Sequence, residues 1–237
     1  MHMSIEVHKI KVEMGDVMIN YCYLLVDNET SEAAIVDPAW QLEKIVAVIE
    51  KEKVKIKYVL ITHVHFDHID LAVTFAEKYK VPIYIHELDL KRFPFSPSVE
   101  LFSICELTPL WTGDANVYPI QLGNAEVIAL HTPGHTEGSM CFYAGSAIIT
   151  GDTLFIEGCG VCDDITGDPE AMFRSLEFIT RFISGDTMIY PGHCYGIEPG
   201  AYYKDIVKKN IYLHIQDIDK FVKIRMRKHQ TNIFNFK

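Results

Sequence analysis

No apolar run in this 237-residue chain approaches the ~20 residues a helix needs to cross a bilayer, so no membrane association is expected. The opening residues Met1-His2-Met3-Ser4-Ile5-Glu6 lack the basic and apolar regions of an export signal, which sets a cytoplasmic location as the expectation. Basic charge is scarce. Against 32 Asp and Glu stand 22 Lys and Arg, a net charge of −10 that argues against a nucleic-acid partner. The six cysteines, Cys22, Cys105, Cys141, Cys159, Cys162 and Cys194, are not expected to form a disulfide framework without export. Cys159 and Cys162 have CxxC spacing, but no second pair completes a four-cysteine zinc site, and they read as part of a Gly-rich loop. Internal repeats and low-complexity linkers are also missing. With 49% hydrophobic and 23% charged residues, the chain reads as one globular domain over 1–237.

What is present is a concentration of ligand-type side chains. Thr62-His63-Val64-His65-Phe66-Asp67-His68 follows the apolar run Tyr58-Val59-Leu60-Ile61, which reads as a buried strand with the cluster on the loop leaving it. Imidazole and carboxylate together are the donor set for zinc and similar divalent metals. The same context recurs three times. His135 lies in Thr132-Pro133-Gly134-His135 beyond Val127-Ile128-Ala129, Asp152 follows Ala147-Ile148-Ile149, and His193 follows Met188-Ile189-Tyr190. Strand ends that meet on one rim can gather such groups from distant sequence.

In order and setting, His63, His65, Asp67, His68, His135, Asp152 and His193 resemble the metal-ligand pattern of the metallo-β-lactamase superfamily, from about residue 19 to residue 196. The resemblance implies an α/β (α+β) four-layered αββα sandwich with two divalent metal ions on one edge, Zn2+ first and Fe or Mn as alternatives. It places one metal on His63, His65 and His135 and the other on Asp67, His68 and His193, with Asp152 bridging. His131 is outside the pattern and reads as a structural or outer-shell histidine, as do His8, His86, His214 and His229. Two cations held ~3.5–4 Å apart lower the pKa of bound water and polarise a carbonyl, which implies hydrolysis, with Asp67 or Asp152 taking the proton of the attacking water. A thioester suits such a site. Its leaving thiol has a pKa of about 8.5 and departs with little help from an acid.

Within the superfamily, Gly151 to Gly160 and Gly167 to Leu176 resemble glyoxalase II, the hydroxyacylglutathione hydrolase. Several departures point elsewhere. Val161 stands where that family carries a basic residue that grips a glutathione carboxylate. Cys194-Tyr195-Gly196 and Ile69-Asp70-Leu71 replace its usual residues, and the segment after His193 is shorter than its helical C-terminal domain. The segments 20–24, 36–40 and 158–163 look more like the stand-alone hydrolases of polyketide biosynthesis clusters, which cleave acyl groups from acyl carrier proteins. The expected partner is therefore acyl carrier protein or a small-molecule thioester. Glyoxalase II is the alternative, and an iron oxidoreductase of the same fold is a third reading, disfavoured by His65 and the complete ligand set.

Two segments invite substrate roles. Residues 93–115, with prolines at 94, 97 and 109, read as a lid whose Phe93, Phe95, Phe102 and Trp111 would line an acyl channel, or would simply pack onto the sandwich. Tyr195, just past His193, is a candidate substrate contact. The segment 200–229 reads as helical and basic, carrying Lys204, Lys208, Lys209, Lys220, Lys223, Arg225, Arg227 and Lys228, as a docking face for an anionic partner or as a solvated helical face. Elsewhere the patterning predicts strands at 5–12, 20–26, 33–36, 58–61, 82–85, 127–130, 139–143, 147–149 and 188–190. Helices are predicted at 42–52 and 69–79 and from a cap at Asp168 to about 183.

Overall fold

The computed structural model describes residues 5–16, 18–94, 96–112, 116–162 and 165–227, with only the backbone of 111 and 112. In strand β2 (Met18–Asp27), Tyr21, Tyr23 and Leu25 enter one hydrophobic layer while Cys22, Leu24 and Val26 enter another. A strand covered on both faces has no polar alternation to show. Six strands form the first sheet, in chain order: β1 (Ile5–Met14), β2, β3 (Glu32–Val36), β4 (Lys55–Leu60), β5 (Ile83–Ile85) and β6 (Leu101–Ser103). The first three pair antiparallel, and β3 to β6 run parallel. The second sheet runs from β7 (Trp111–Thr112) through β8 (Asn116–Leu122), β9 (Ala125–His131), β10 (Met140–Ala144), β11 (Ala147–Gly151) and β12 (Met188–Pro191) to β13 (Ala201–Tyr202). Only β11 and β12 are parallel there.

The sheets face each other across a core that includes Tyr23, Leu25, Val36 and Leu60 from one and Leu122, Val127, Phe142 and Ile149 from the other. Helix α1 (Leu42–Glu52) covers the outer face of the first sheet with Ile45 and Ile49, joined by Phe75 and Ala76 of α3 (Ala72–Tyr79). The outer face of the second sheet is covered by α5 (Pro169–Phe182) and α7 (Ile218–Arg225), through Met172, Leu176, Ile179 and Phe221. Among the described residues, three single turns complete the α-helices: α2 (Phe66–Ile69), α4 (Glu87–Leu90) and α6 (Tyr203–Ile206). The order of layers is α, β, β, α. Among the described residues no helix is long and apolar enough to cross a membrane.

Some elements differ from the sequence expectation. The helix expected from Ile69 to Tyr79 begins earlier and breaks in two, because the Leu71 amide donates to the Pro38 carbonyl across the chain at 3.0 Å instead of continuing its own turn. Asp67 and His68 therefore sit on a helical turn, not on an open loop. Strand β8 carries Pro119, which cannot donate to a ladder and masks the pattern. Within the segment read as a lid, residues 101–103 pair with β5 and 111–112 pair with β8. Phe93 is buried in the outer core of the first sheet, and the Phe102 ring lies 4.8 Å from that of Tyr84.

Candidate metal centre

Strands β9, β11 and β12 point the same way, and each presents a side chain beyond its C-terminal end: His135, Asp152 and His193. The end of β4 in the other sheet supplies His63 and His65, and the turn α2 supplies Asp67 and His68. The donor atoms of His63, His65 and His135 lie within 4.8 Å of one another, and so do those of Asp67, His68 and His193. Asp152 reaches both groups. Its Oδ1 is 3.5 Å from His68 Nε2, and its Oδ2 is 3.6 Å from His135 Nε2 and 3.4 Å from His193 Nε2.

This geometry fits metal ions on a physical test. The Nε2 atoms of His63, His68 and His135 and Asp152 Oδ1 are buried with no hydrogen-bond partner among the described residues. Desolvating such lone pairs is costly unless an electron-poor centre receives them. The opposite ring nitrogens are all engaged. Nδ1 of His135 is 2.7 Å from the Val161 carbonyl, that of His193 is 3.0 Å from the Ile19 carbonyl, that of His63 is 3.0 Å from Thr62 Oγ1, and that of His68 is 2.9 Å from Asp37 Oδ2. Donation from Nδ1 fixes the tautomer and aims the Nε2 lone pair into the site. The donor set can thus hold two divalent ions.

Asp37, His63 and His68 also form a close group. The Asp37 carboxylate is already occupied, however. Its Oδ1 accepts the Thr62 amide at 2.7 Å, and its Oδ2 accepts the Thr62 hydroxyl at 2.5 Å as well as the His68 ring. Asp37 therefore orients His68 from behind. Two more buried polar residues act similarly. Asn20 Nδ2 donates to the Asp67 carbonyl at 2.6 Å and to Asp67 Oδ2 at 3.2 Å. Asp89 accepts from the Val64 amide, the Gly138 amide and the Thr136 hydroxyl, joining the His65 and His135 loops. None of these three was singled out as a site residue from sequence. The available signal was a carboxylate at the end of β3, on the same rim.

Burial and charge shape the site together. Burial raises the carboxyls of Asp67 and Asp152, but the surrounding histidines outweigh it and hold both well below the usual range. His193 is pushed down by burial and up by Asp152 and Asp67, with a net rise to about 10. His63 is driven well below its ordinary value by burial and then by its neighbouring histidines. Close packing also dictates two glycines. A Cβ on Gly192 would sit 2.6 Å from both Asp152 Oδ1 and His68 Cε1, and one on Gly160 would sit 2.1 Å from the Asp152 carbonyl oxygen.

The other candidates fall as follows. Tyr195 is half-buried, its ring 5.0 Å from that of Phe155. Its hydroxyl is raised by burial and then by the charge of Asp152. Phe95 lies outside the described residues, and Trp111 is described only as backbone in β7. His131 stacks on His86 at 4.0 Å and 13°, with Nε2 2.9 Å from the Glu137 carbonyl, a structural arrangement. Lys228 lies outside the described residues, Arg225 is buried, and Lys204, Lys208, Lys209, Lys220, Lys223 and Arg227 are exposed, with Lys204 paired to Asp186 at 2.7 Å and Lys208 to Asp205 at 3.0 Å.

The family model described as "Metallo-beta-lactamase superfamily" matches residues 15–193. A Bacillus subtilis protein named "Probable polyketide biosynthesis zinc-dependent hydrolase PksB" is 35% identical over 237 residues, covering 100% of both chains. The cytoplasmic hydroxyacylglutathione hydrolase of Arabidopsis thaliana is 34% identical over 188 residues, which cover 76% of this chain and 65% of that enzyme. Among solved structures, ETHE1 from Myxococcus xanthus superposes with a TM-score of 0.76 at 21% identity, over 94% of this chain and 92% of that one, a likeness of fold. The chain belongs to the metallo-β-lactamase superfamily.

Proposed function

We propose that this protein is a metal-dependent thioester hydrolase that releases acyl groups from phosphopantetheinyl acyl carrier protein in polyketide biosynthesis, acting in the cytoplasm. The observation that carries the reading is the end-to-end match to the zinc-dependent hydrolase PksB, together with a rim that gathers the seven candidate donors. His63, His65 and His135 would hold one ion, Asp67, His68 and His193 the other, and Asp152 would contact both. When bound, two such ions supply an acidified water and an electrophile for the thioester carbonyl. The chain supplies the rest. Asp37, Thr62 and the carbonyls of Ile19 and Val161 hold the imidazoles in their donor tautomers. Asp67 or Asp152, both kept ionised by their histidine neighbours, would take the proton of the attacking water. The leaving thiolate needs no dedicated acid at a thiol pKa of about 8.5.

Tyr195 beside Phe155 is the best-placed described side chain for a substrate wall. Exposed cations of the C-terminal segment, Lys209, Lys220, Lys223 and Arg227 among them, would give an acidic carrier protein favourable contacts on an otherwise acidic chain. Hydroxyacylglutathione hydrolysis is the second reading, favoured by the 34% match to the plant enzyme. Against it stands Val161 at the position of that family's carboxylate-gripping residue. The deciding experiment offers acyl carrier protein, glutathione and coenzyme A thioesters of one acyl group at equal concentration, with metal content measured in the same sample. Fastest release from the carrier protein is expected. Far faster release from glutathione overturns the assignment.

A further inference from the structure

The loop 155–161 carries supports for two of the candidate donors. The Val161 carbonyl lies 2.7 Å from His135 Nδ1, and the Gly160 amide donates to the Asp152 carbonyl at 2.9 Å. Three carbonyls of the same stretch are gripped from far along the chain. Asn210 Nδ2 donates to Phe155 O at 3.0 Å and to Gly158 O at 2.9 Å, while Arg225 Nη1 donates to Cys159 O at 2.9 Å. Asn210 is held at its other end as well, where Oδ1 accepts the Tyr212 amide at 3.1 Å. The Arg225 guanidinium packs 5.5 Å from the centre of the Tyr212 ring, which leans on Phe221.

Burial makes these contacts unusual. Asn210 is 0% exposed and Arg225 is 4% exposed, whereas Lys220, Lys223 and Arg227 remain in water. A guanidinium removed from water is costly unless fixed partners receive it, and a surface helix gains nothing by turning one inward. Here the inward cation meets a loop carbonyl one residue from the Gly160 contact and two from the Val161 contact. We propose that Asn210 and Arg225 are positioning residues for the metal centre. They clamp the 155–161 loop from the C-terminal segment and so keep His135 and Asp152 in donor orientation. This rests on the reading that His135 and Asp152 hold metal.

The clamp holds the backbone one to six residues before the Gly160 and Val161 groups that contact the donors. Direct partners of a ligand are worth about 10–100-fold in metal affinity, so loosening a clamp one step further out is expected to weaken zinc binding by about tenfold, the lower end of that range. The test titrates zinc loading of the full chain against chelator-buffered free zinc for the wild type, Arg225→Gln, Arg225→Lys, Asn210→Asp and His135→Ala. Asn210→Asp keeps the acceptor for Tyr212 and loses both donors to the loop. Half-loading is read on folded protein, so a purely structural role would lower the unfolding temperature without moving it. We expect Arg225→Gln and Asn210→Asp to need about tenfold more free zinc, with Arg225→Lys recovering part of the loss. If Arg225→Gln does not fold, Asn210→Asp decides alone. Wild-type loading in either folded variant, with His135→Ala losing zinc, overturns the clamp. Full loading of His135→Ala overturns the metal reading instead.

Discussion

His193 Nε2 lies 3.3 Å from Asp67 Oδ2 and 3.4 Å from Asp152 Oδ2, and in the metal-free protein the two carboxylates keep a second proton on the ring, at Nε2. Its pKa rises from 6.5 to about 10. The resulting stabilisation is complete below about pH 6.5 and is lost as pH rises through 10. The depressed carboxyls of Asp67 and Asp152 contribute in the opposite sense: their stabilisation is present above the ordinary carboxylate range and lost on acidification. Denaturant unfolding of metal-free protein should therefore show stability declining from neutral pH toward pH 10. A metal ion must displace that proton, so zinc uptake at pH 7 should release it. Calorimetric titration in two buffers of different ionisation enthalpy measures the release, and identical heats in both would contradict it. Asp37 gives a second prediction. Its φ of 50° suits Asp or Asn, so Asp37→Asn should preserve the backbone while weakening the hold on His68. A drop of about 10–100-fold in zinc affinity is expected by chelator competition, and unchanged affinity would remove Asp37 from the account.

Among the elements, those with a local signature were legible and those defined by distant partners were not. The α1 range of Leu42–Glu52 follows from the stripe Leu42, Ile45, Val46 and Ile49, and the start of α5 follows from Asp168 and Pro169. Strand β6 and the break between α2 and α3 depend on bonds to residues remote in sequence, which no local period reveals. The cap of α5 is open to direct measurement. Asp168 Oδ1 accepts the amides of Glu170 and Ala171 at 2.8 and 3.0 Å, while the Asp168 amide donates to the Gly134 carbonyl beside His135. Asp168→Ala should cost about 1 kcal/mol in urea unfolding, because it orphans helix N-terminal donors and leaves the bond to Gly134 in place. An unchanged midpoint would mean that the cap contributes nothing.

For the whole molecule, the four layers were legible through the ordered set of seven residues and the resemblance they carry, rather than through periodicity. Strand patterns did not reveal that the β2 and β10 side chains meet in one core. The outer supports stayed hidden for a related reason. Asn20, Asp37, Asp89, Asn210 and Arg225 are ordinary polar residues in sequence, and only the fold buries the first three beside the ligand-bearing segments and the last two against the 155–161 loop. Whether side chains from the two sheets hold a dinuclear centre is read from the anomalous-difference map of a zinc-loaded crystal at the zinc absorption edge. Two peaks are expected, one among His63, His65 and His135 and one among Asp67, His68 and His193, with Asp152 touching both. A single peak, or peaks remote from these side chains, would contradict the dinuclear centre.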